Sequence, residues 1–319
     1  MKIGMGRKLK LFAENAIKVK EEFRFDSAIA KRLAALIYAL DGKPINLRAI
    51  ASSCTIMKDG THALSVFRED ISICISAMMS IKGNQKTMFD RTATVYEMMK
   101  DAGFRSSWFL AVAAYLVAVN SEPKDNQQTV ARMRSFFEGI KAQHRPYAGA
   151  DTIIFATVLA LSEADMIKSV ENVERLFGQI EQEFSGKSTA HSMAQMMVAG
   201  SMSDEASVKQ ILALRDAFKA QSMSLDPGFT LAPLVFLAKL PADVNAIMDD
   251  VKEALTFLRS QKGISPYDQE LLLYSMAITA SGYTGRSGDL LMTATVLLSV
   301  INIVNSSANS SGRRRISQL

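Results

Sequence analysis

The chain lacks most of what a secreted, metal-built or membrane-spanning protein needs. Only two cysteines, Cys54 and Cys74, occur in 319 residues, too few for a disulfide framework. Both lie in apolar stretches and read as reduced, buried small side chains of an intracellular, cytoplasmic protein. The three histidines, His62, His144 and His191, have no Cys, His or Glu at metal-site spacing, and no HExxH run occurs. No cofactor is implied. A signal-peptide core is missing as well, because Leu11-Phe12-Ala13 runs straight into Glu14 and Asn15. The longest apolar run, 290–304, is about 15 residues, short of the 18–20 that span a bilayer. It also carries Thr293, Thr295, Ser299 and Asn302, so it reads as a buried closing helix rather than a membrane segment.

Charge excludes little. The formal net charge is +5, a small excess that makes nucleic acid a poor candidate partner. Much of it sits near the start, where Lys2, Arg7, Lys8, Lys10, Lys18, Lys20 and Arg24 face Glu14, Glu21 and Glu22. That pattern reads as a solvated helix face. The Ser- and Asn-rich stretch 305–319, with Arg313-Arg314-Arg315, reads as a disordered, solubilising tail.

Helical periodicity dominates what is there, and strand-like alternation is nearly absent. The spacing predicts helices over 11–23, 27–40 and 47–57, with Asp41-Gly42-Lys43-Pro44 stopping the second. An alternation then follows: 63–80 with 86–101, 107–119 with 128–143, 151–161 with 166–183, 189–199 with 204–221, and 229–238 with 243–261. The helix over 267–280 and the closing segment complete the series. In each pair the second helix is amphipathic. Over 243–261, Val244, Ile247, Met248, Val251, Leu255 and Leu258 form a single apolar face. The first helix is apolar around most of its circumference, as in Ala111 to Val117, and would be buried on several sides. Pro233 should kink its helix or mark a late start.

Landmarks recur about every 40 residues, the period of stacked helix pairs. Asp165, Asp204 and Asp243 stand at helix starts, where a carboxylate accepts from free amides and suits the helix dipole. Phe137, Phe177, Phe218 and Phe257 fall near helix ends as buried anchors. The expected architecture is all-α: antiparallel helix-pair repeats, α-solenoid-like or closed into a compact α/α array. Residues 1–304 would form one repeat domain.

Chemical motifs are few. Gly186-Lys187-Ser188 resembles the end of a phosphate-binding loop, but Glu181 stands where its first glycine belongs and no strand precedes it. Gly200-Ser201-Met202-Ser203-Asp204 fails as a nucleophile elbow, with Met202 at the nucleophile position. Asp249, Asp250 and Glu253 resemble the acidic motif by which all-helical terpenoid and prenyl-transfer enzymes bind magnesium. Those enzymes need a second acidic cluster on a facing helix, and none matches. The three residues therefore read first as a solvated helix face. They are the metal ligands of the alternative function, an all-helical metal-dependent enzyme.

One constellation points to recognition. The turns before successive first-type helices carry Arg105 and Trp108, Arg145 and Tyr147, Lys187, Phe229, and Tyr267. In a stacked array these turns share one edge, and Trp, Tyr and Arg dominate interface energetics. The competing reading is that the aromatics staple their own turns to the core.

The segments Lys31-Arg32-Leu33-Ala34-Ala35-Leu36-Ile37-Tyr38, Ala102-Gly103-Phe104-Arg105-Ser106-Ser107, Leu110-Ala111-Val112-Ala113-Ala114 and Asp243-Val244-Asn245-Ala246-Ile247 resemble an uncharacterised bacterial family, mainly Gram-positive, domain-of-unknown-function family 4003. The resemblance runs from about Leu11 to the closing helix. It implies a cytoplasmic, helical bacterial protein and carries over no catalytic residue. Together these readings favour a non-catalytic module that binds or scaffolds a protein or peptide.

Overall fold

The structure is a computed structural model that describes residues 3–23, 26–143, 146–226, 230–264 and 267–284. The expected closing segment 290–304 and the tail 305–319 lie outside the described residues. Among the described residues there are fourteen α-helices and no strand, so the protein is all-α. The helices are α1 (Ile3–Glu22), α2 (Ala28–Leu40), α3 (Leu47–Asp59), α4 (Ser72–Lys82), α5 (Gln85–Asp101), α6 (Trp108–Asn120) and α7 (Asn126–Gln143). They continue as α8 (Thr152–Ala160), α9 (Met166–Ile180), α10 (Lys187–Ala199), α11 (Glu205–Ala220), α12 (Leu231–Ala238), α13 (Val244–Ser260) and α14 (Asp268–Thr284). None of the described helices is long and apolar enough to cross a membrane.

Local chemistry explains most boundaries. Asp165 accepts from the Lys168 amide at 2.9 Å, Asp204 from Ser207 at 2.7 Å and Asp243 from Ala246 at 3.0 Å, so each caps its helix. Asn46 does the same for α3 through the Ala49 amide, at 3.0 Å. Each such cap satisfies an amide of the first turn that has no partner within the helix. Pro233 falls in the first turn of α12, where its missing amide has no intrahelical partner to lose. Between α4 and α5 the chain turns in two residues, Gly83 at φ 76° and Asn84 at φ 49°, both in the left-handed region.

Four expectations need correction. Residues 63–80 are not one helix. A short 3₁₀ turn at Val66–Arg68 precedes α4, capped by Ser65 Oγ, which accepts from the Phe67 amide at 3.3 Å. Arg68 ties this turn back to the Lys58 and Thr61 carbonyls, and Phe67 is buried edge-on to Phe89 and Tyr96. The first helix begins at Ile3, not residue 11, because Met5, Leu9 and Phe12 share one buried face. The recurring phenylalanines are not all buried: Phe177 and Phe218 are, but Phe137 and Phe257 are half-buried because Phe136 and Leu258 occupy the core positions beside them. Cys74 is buried but Cys54 only half-buried; both are free, and burial pushes both thiols up.

The helices form two rows. The more deeply buried helices α2, α4, α6, α8, α10, α12 and α14 make one, and in α6 and α8 every residue from Phe109 to Ala118 and from Thr152 to Ala160 is buried. The amphipathic helices pack outside them. Along the inner row α2 meets α4, α6 meets α8, then α8, α10, α12 and α14 touch in turn, and α14 meets α2. Along the outer row α1 meets α3 and also α13. The first helix pair thus returns to the last.

That return is made by specific contacts. The Phe12 and Tyr274 rings lie 4.8 Å apart. Lys8 Nζ donates to the buried Ser281 hydroxyl. A Cβ at Gly282 would sit 3.0 Å from Met5 Cβ, so glycine lets α1 and α14 approach closely. Arg32 donates from Nε and Nη2 to the two Glu270 oxygens at 2.5 and 2.9 Å, and the Tyr274 hydroxyl donates to the same carboxylate.

Candidate functional site

The two ends of the helix array differ. Where inner helices end and outer ones begin, the connections are short and several are capped: 83–84, 121–125, 161–165, 200–204 and 239–243. Where outer helices end and inner ones begin, the chain makes its longest excursions, 60–71, 144–151 and 221–230. Loops held on a rigid scaffold are where recognition residues concentrate.

The edge residues singled out in the sequence belong to this loop-bearing end. Arg105 is exposed just ahead of α6. Trp108, half-buried at the start of α6, donates from Nε1 to Glu69 Oε2 at 2.5 Å, joining α6 to the 60–71 excursion. Tyr267 is 64% exposed ahead of α14. Arg145 and Phe229 lie outside the described residues. The structure brings Tyr147 and Lys187 together: Lys187 Nζ stands 5.9 Å over the Tyr147 ring and 3.3 Å from Glu181. Trp108 and Tyr267 occupy other sectors of the same end.

Beneath Tyr147 lies a polar cluster that sequence reasoning missed. The Tyr147 ring is 5.7 Å from Phe177, which is 5.7 Å edge-on from the buried His191 ring. His191 Nδ1 and Gln195 Nε2 are 3.0 Å apart, one turn apart on α10. Ser192 Oγ donates to Asp151 Oδ2 at 2.6 Å. The missed signal was His191, Ser192 and Gln195 within one turn of a helix whose second half is largely apolar.

Burial pushes the Asp151 carboxyl up, against the pull of Ser192 and nearby backbone amides. A raised folded-state value favours the protonated form in the fold, so the contribution to stability is present in acid and lost as pH rises through it. Asp151→Asn, which keeps an oxygen for Ser192, is therefore expected to raise the thermal midpoint at neutral pH. The gain over wild type should disappear as pH falls below the ordinary carboxylate range; a constant gain at all pH values would contradict this account.

Two clefts open at the same end. The larger, about 660 Å³, lies between the turn after α9 and the loop after α11. Phe184, Met223, Leu225 and Leu231 form its apolar part. Arg215 crosses it, paired with Glu183 at 2.6 Å and Asp216 at 2.8 Å, with Lys219 alongside. The second, about 420 Å³, lies between α1, α2 and the loop before α14.

The acidic residues of the metal-dependent alternative sit elsewhere, in the middle of α13. Asp249 and Glu253 are exposed, and Asp250 Oδ2 accepts from the Tyr283 hydroxyl at 2.8 Å. Burial and that carboxylate push Tyr283 up to about 12. Among the described residues no group of three or more His, Cys, Asp and Glu is disposed to hold a metal ion.

The profile of the family described as "protein of unknown function (DUF4003)" matches residues 15–309. The chain belongs to this family. The DUF4003 match spans both clefts and every edge residue named above. Neither a curated protein nor a solved structure matches the chain. Lys31 and Arg32, within the first segment that carried the family resemblance, lie on α2 beside the smaller cleft.

Proposed function

We propose that this DUF4003 protein is a non-catalytic binding or scaffolding module that takes a protein or peptide partner on its loop-bearing end. The observation that supports this reading most is the placement of half-exposed and exposed aromatic residues with cations around one end of the helix array. Trp108, the Tyr147–Lys187 pair and Tyr267 all stand there. The cleft at Phe184 and Arg215 adds an apolar pocket with a charged rim, the composition of a recognition pocket. We propose a cytoplasmic location, a reading with which free thiols at Cys54 and Cys74 agree.

Affinity capture from the native host tests the reading, with a Trp108→Ala, Tyr147→Ala, Tyr267→Ala variant as control. The wild type should retain a partner that the variant loses, while helicity and unfolding midpoint stay close to wild type. Identical capture by both proteins would overturn the assignment. So would a large stability loss from Trp108→Ala alone, because it would make that side chain a staple of its own turn.

A further inference from the structure

The 420 Å³ cleft is built differently from the rest of the surface. Its lining brings together three cations, Lys20 from α1 and Lys31 and Arg32 from α2, with Ala28 and the backbone around Gly263 and Ile264. Lys31 is only 7% exposed, yet its Nζ has one protein partner, the Phe23 carbonyl at 2.9 Å. Glu270 engages Nε and Nη2 of Arg32, which leaves Nη1 over and locks the guanidinium plane. Lys20 reaches across toward the far wall: a Cβ on Gly263 would lie 3.9 Å from its Nζ. Among the described residues two carboxylates act on this group, Glu270 on Arg32 and Asp26 on Lys31, against three cations.

Such crowding is unfavourable without an anion. Burial and the neighbouring charges of Arg32 and Lys20 all push the Lys31 amine down, with only Asp26 opposing them. A bound anion would relieve that repulsion directly. The first turn of α2 adds to the field, since the Ser27 side chain makes no capping bond and Ala28 lines the cleft.

We propose that this cleft binds a phosphate group, free or as the monoester of a small molecule, through Lys20, Lys31 and Arg32. Phosphate is a dianion near neutral pH with oxygens on every side, which suits three cations converging from two helices. Carboxylate has one charge and a flat, two-oxygen face. The volume lies in the range of small-molecule sites and exceeds what a bare phosphate fills, leaving room for a substituent. The site is independent of the protein-binding reading, and its test involves no protein partner.

Calorimetric titration of the full chain with inorganic phosphate and with glycerol 2-phosphate, against potassium chloride at matched ionic strength, tests it. Both phosphates should give saturable binding, and chloride none. Binding of inorganic phosphate alone assigns the site to the free ion, and binding of both assigns it to the ester. Lys20→Ala, at an exposed position with no fold to disturb, should weaken phosphate binding on the order of tenfold. Lys31→Met should weaken it at least as much, and Lys219→Ala, in the other cleft, should leave it unchanged. Equal response to phosphate and chloride, or wild-type affinity in Lys20→Ala, would overturn the proposal.

Discussion

Arg32→Met is expected to lower the unfolding free energy by about 3–5 kcal/mol, the cost of stranding a buried carboxylate. Glu270 is 1% exposed, and Arg32 supplies its counter-charge through two hydrogen bonds. The Tyr274 hydroxyl also donates to that carboxylate, but it brings no charge to replace the guanidinium. Desolvation is what makes the loss large. Surface pairs such as Lys86–Asp90 and Lys209–Glu205, both well exposed, are screened by solvent and should contribute far less. Removing both partners at once tells the two situations apart. In Arg32→Met with Glu270→Met no charge is left buried, so most of the stability should return. Urea unfolding of the three variants at neutral pH measures this. If the single and double variants lose equally, the pair matters for packing rather than for charge.

Helix positions were legible in the chain because they are local. Asp165, Asp204 and Asp243 cap their helices within three residues, and Pro233 acts within its own turn. The segment over 63–71 was not, because its course depends on Arg68 reaching back to Lys58 and on Phe67 finding Phe89 and Tyr96. Those contacts compete with helix propensity and win through burial. The aromatic and basic turns could be placed on one end from their positions in the pairs. That Tyr147 would meet Lys187, with Asp151, Ser192 and His191 beneath, could not.

The basic cleft was hidden for a related reason. Lys20, Lys31 and Arg32 read as members of solvated helix faces, and charge in a sequence is normally surface charge. Arg32 becomes internal only because Glu270, far along the chain, arrives beside it. Nothing in the local pattern of either segment announces that meeting. Glu270 does leave one trace: it is the sole acidic residue followed by the apolar run Leu271-Leu272-Leu273-Tyr274, an expensive place for an unpaired charge.

The closed arrangement makes a quantitative claim about the first helix. In an open stack each helix pair touches only its neighbours, so an end helix frays and its side chains contribute little to global stability. Here α1 packs on α2 and α3 and also on α13 and α14. Phe12 is fully buried, as is Phe136 on α7 in the middle of the chain. Phe12→Ala and Phe136→Ala should therefore cost similar amounts, each about 3–5 kcal/mol. The Phe12 value should couple to Tyr274, whose ring is 4.8 Å away, so that the Phe12→Ala, Tyr274→Ala double variant loses less than the sum of its parts. Denaturant unfolding with both helicity and Trp108 fluorescence as probes separates the two architectures. Coincident transitions and matched losses belong to a ring in which the first and last helices share one core. A Phe12→Ala loss of less than half that of Phe136→Ala, with helicity lost ahead of fluorescence, would mean that α1 is an end after all.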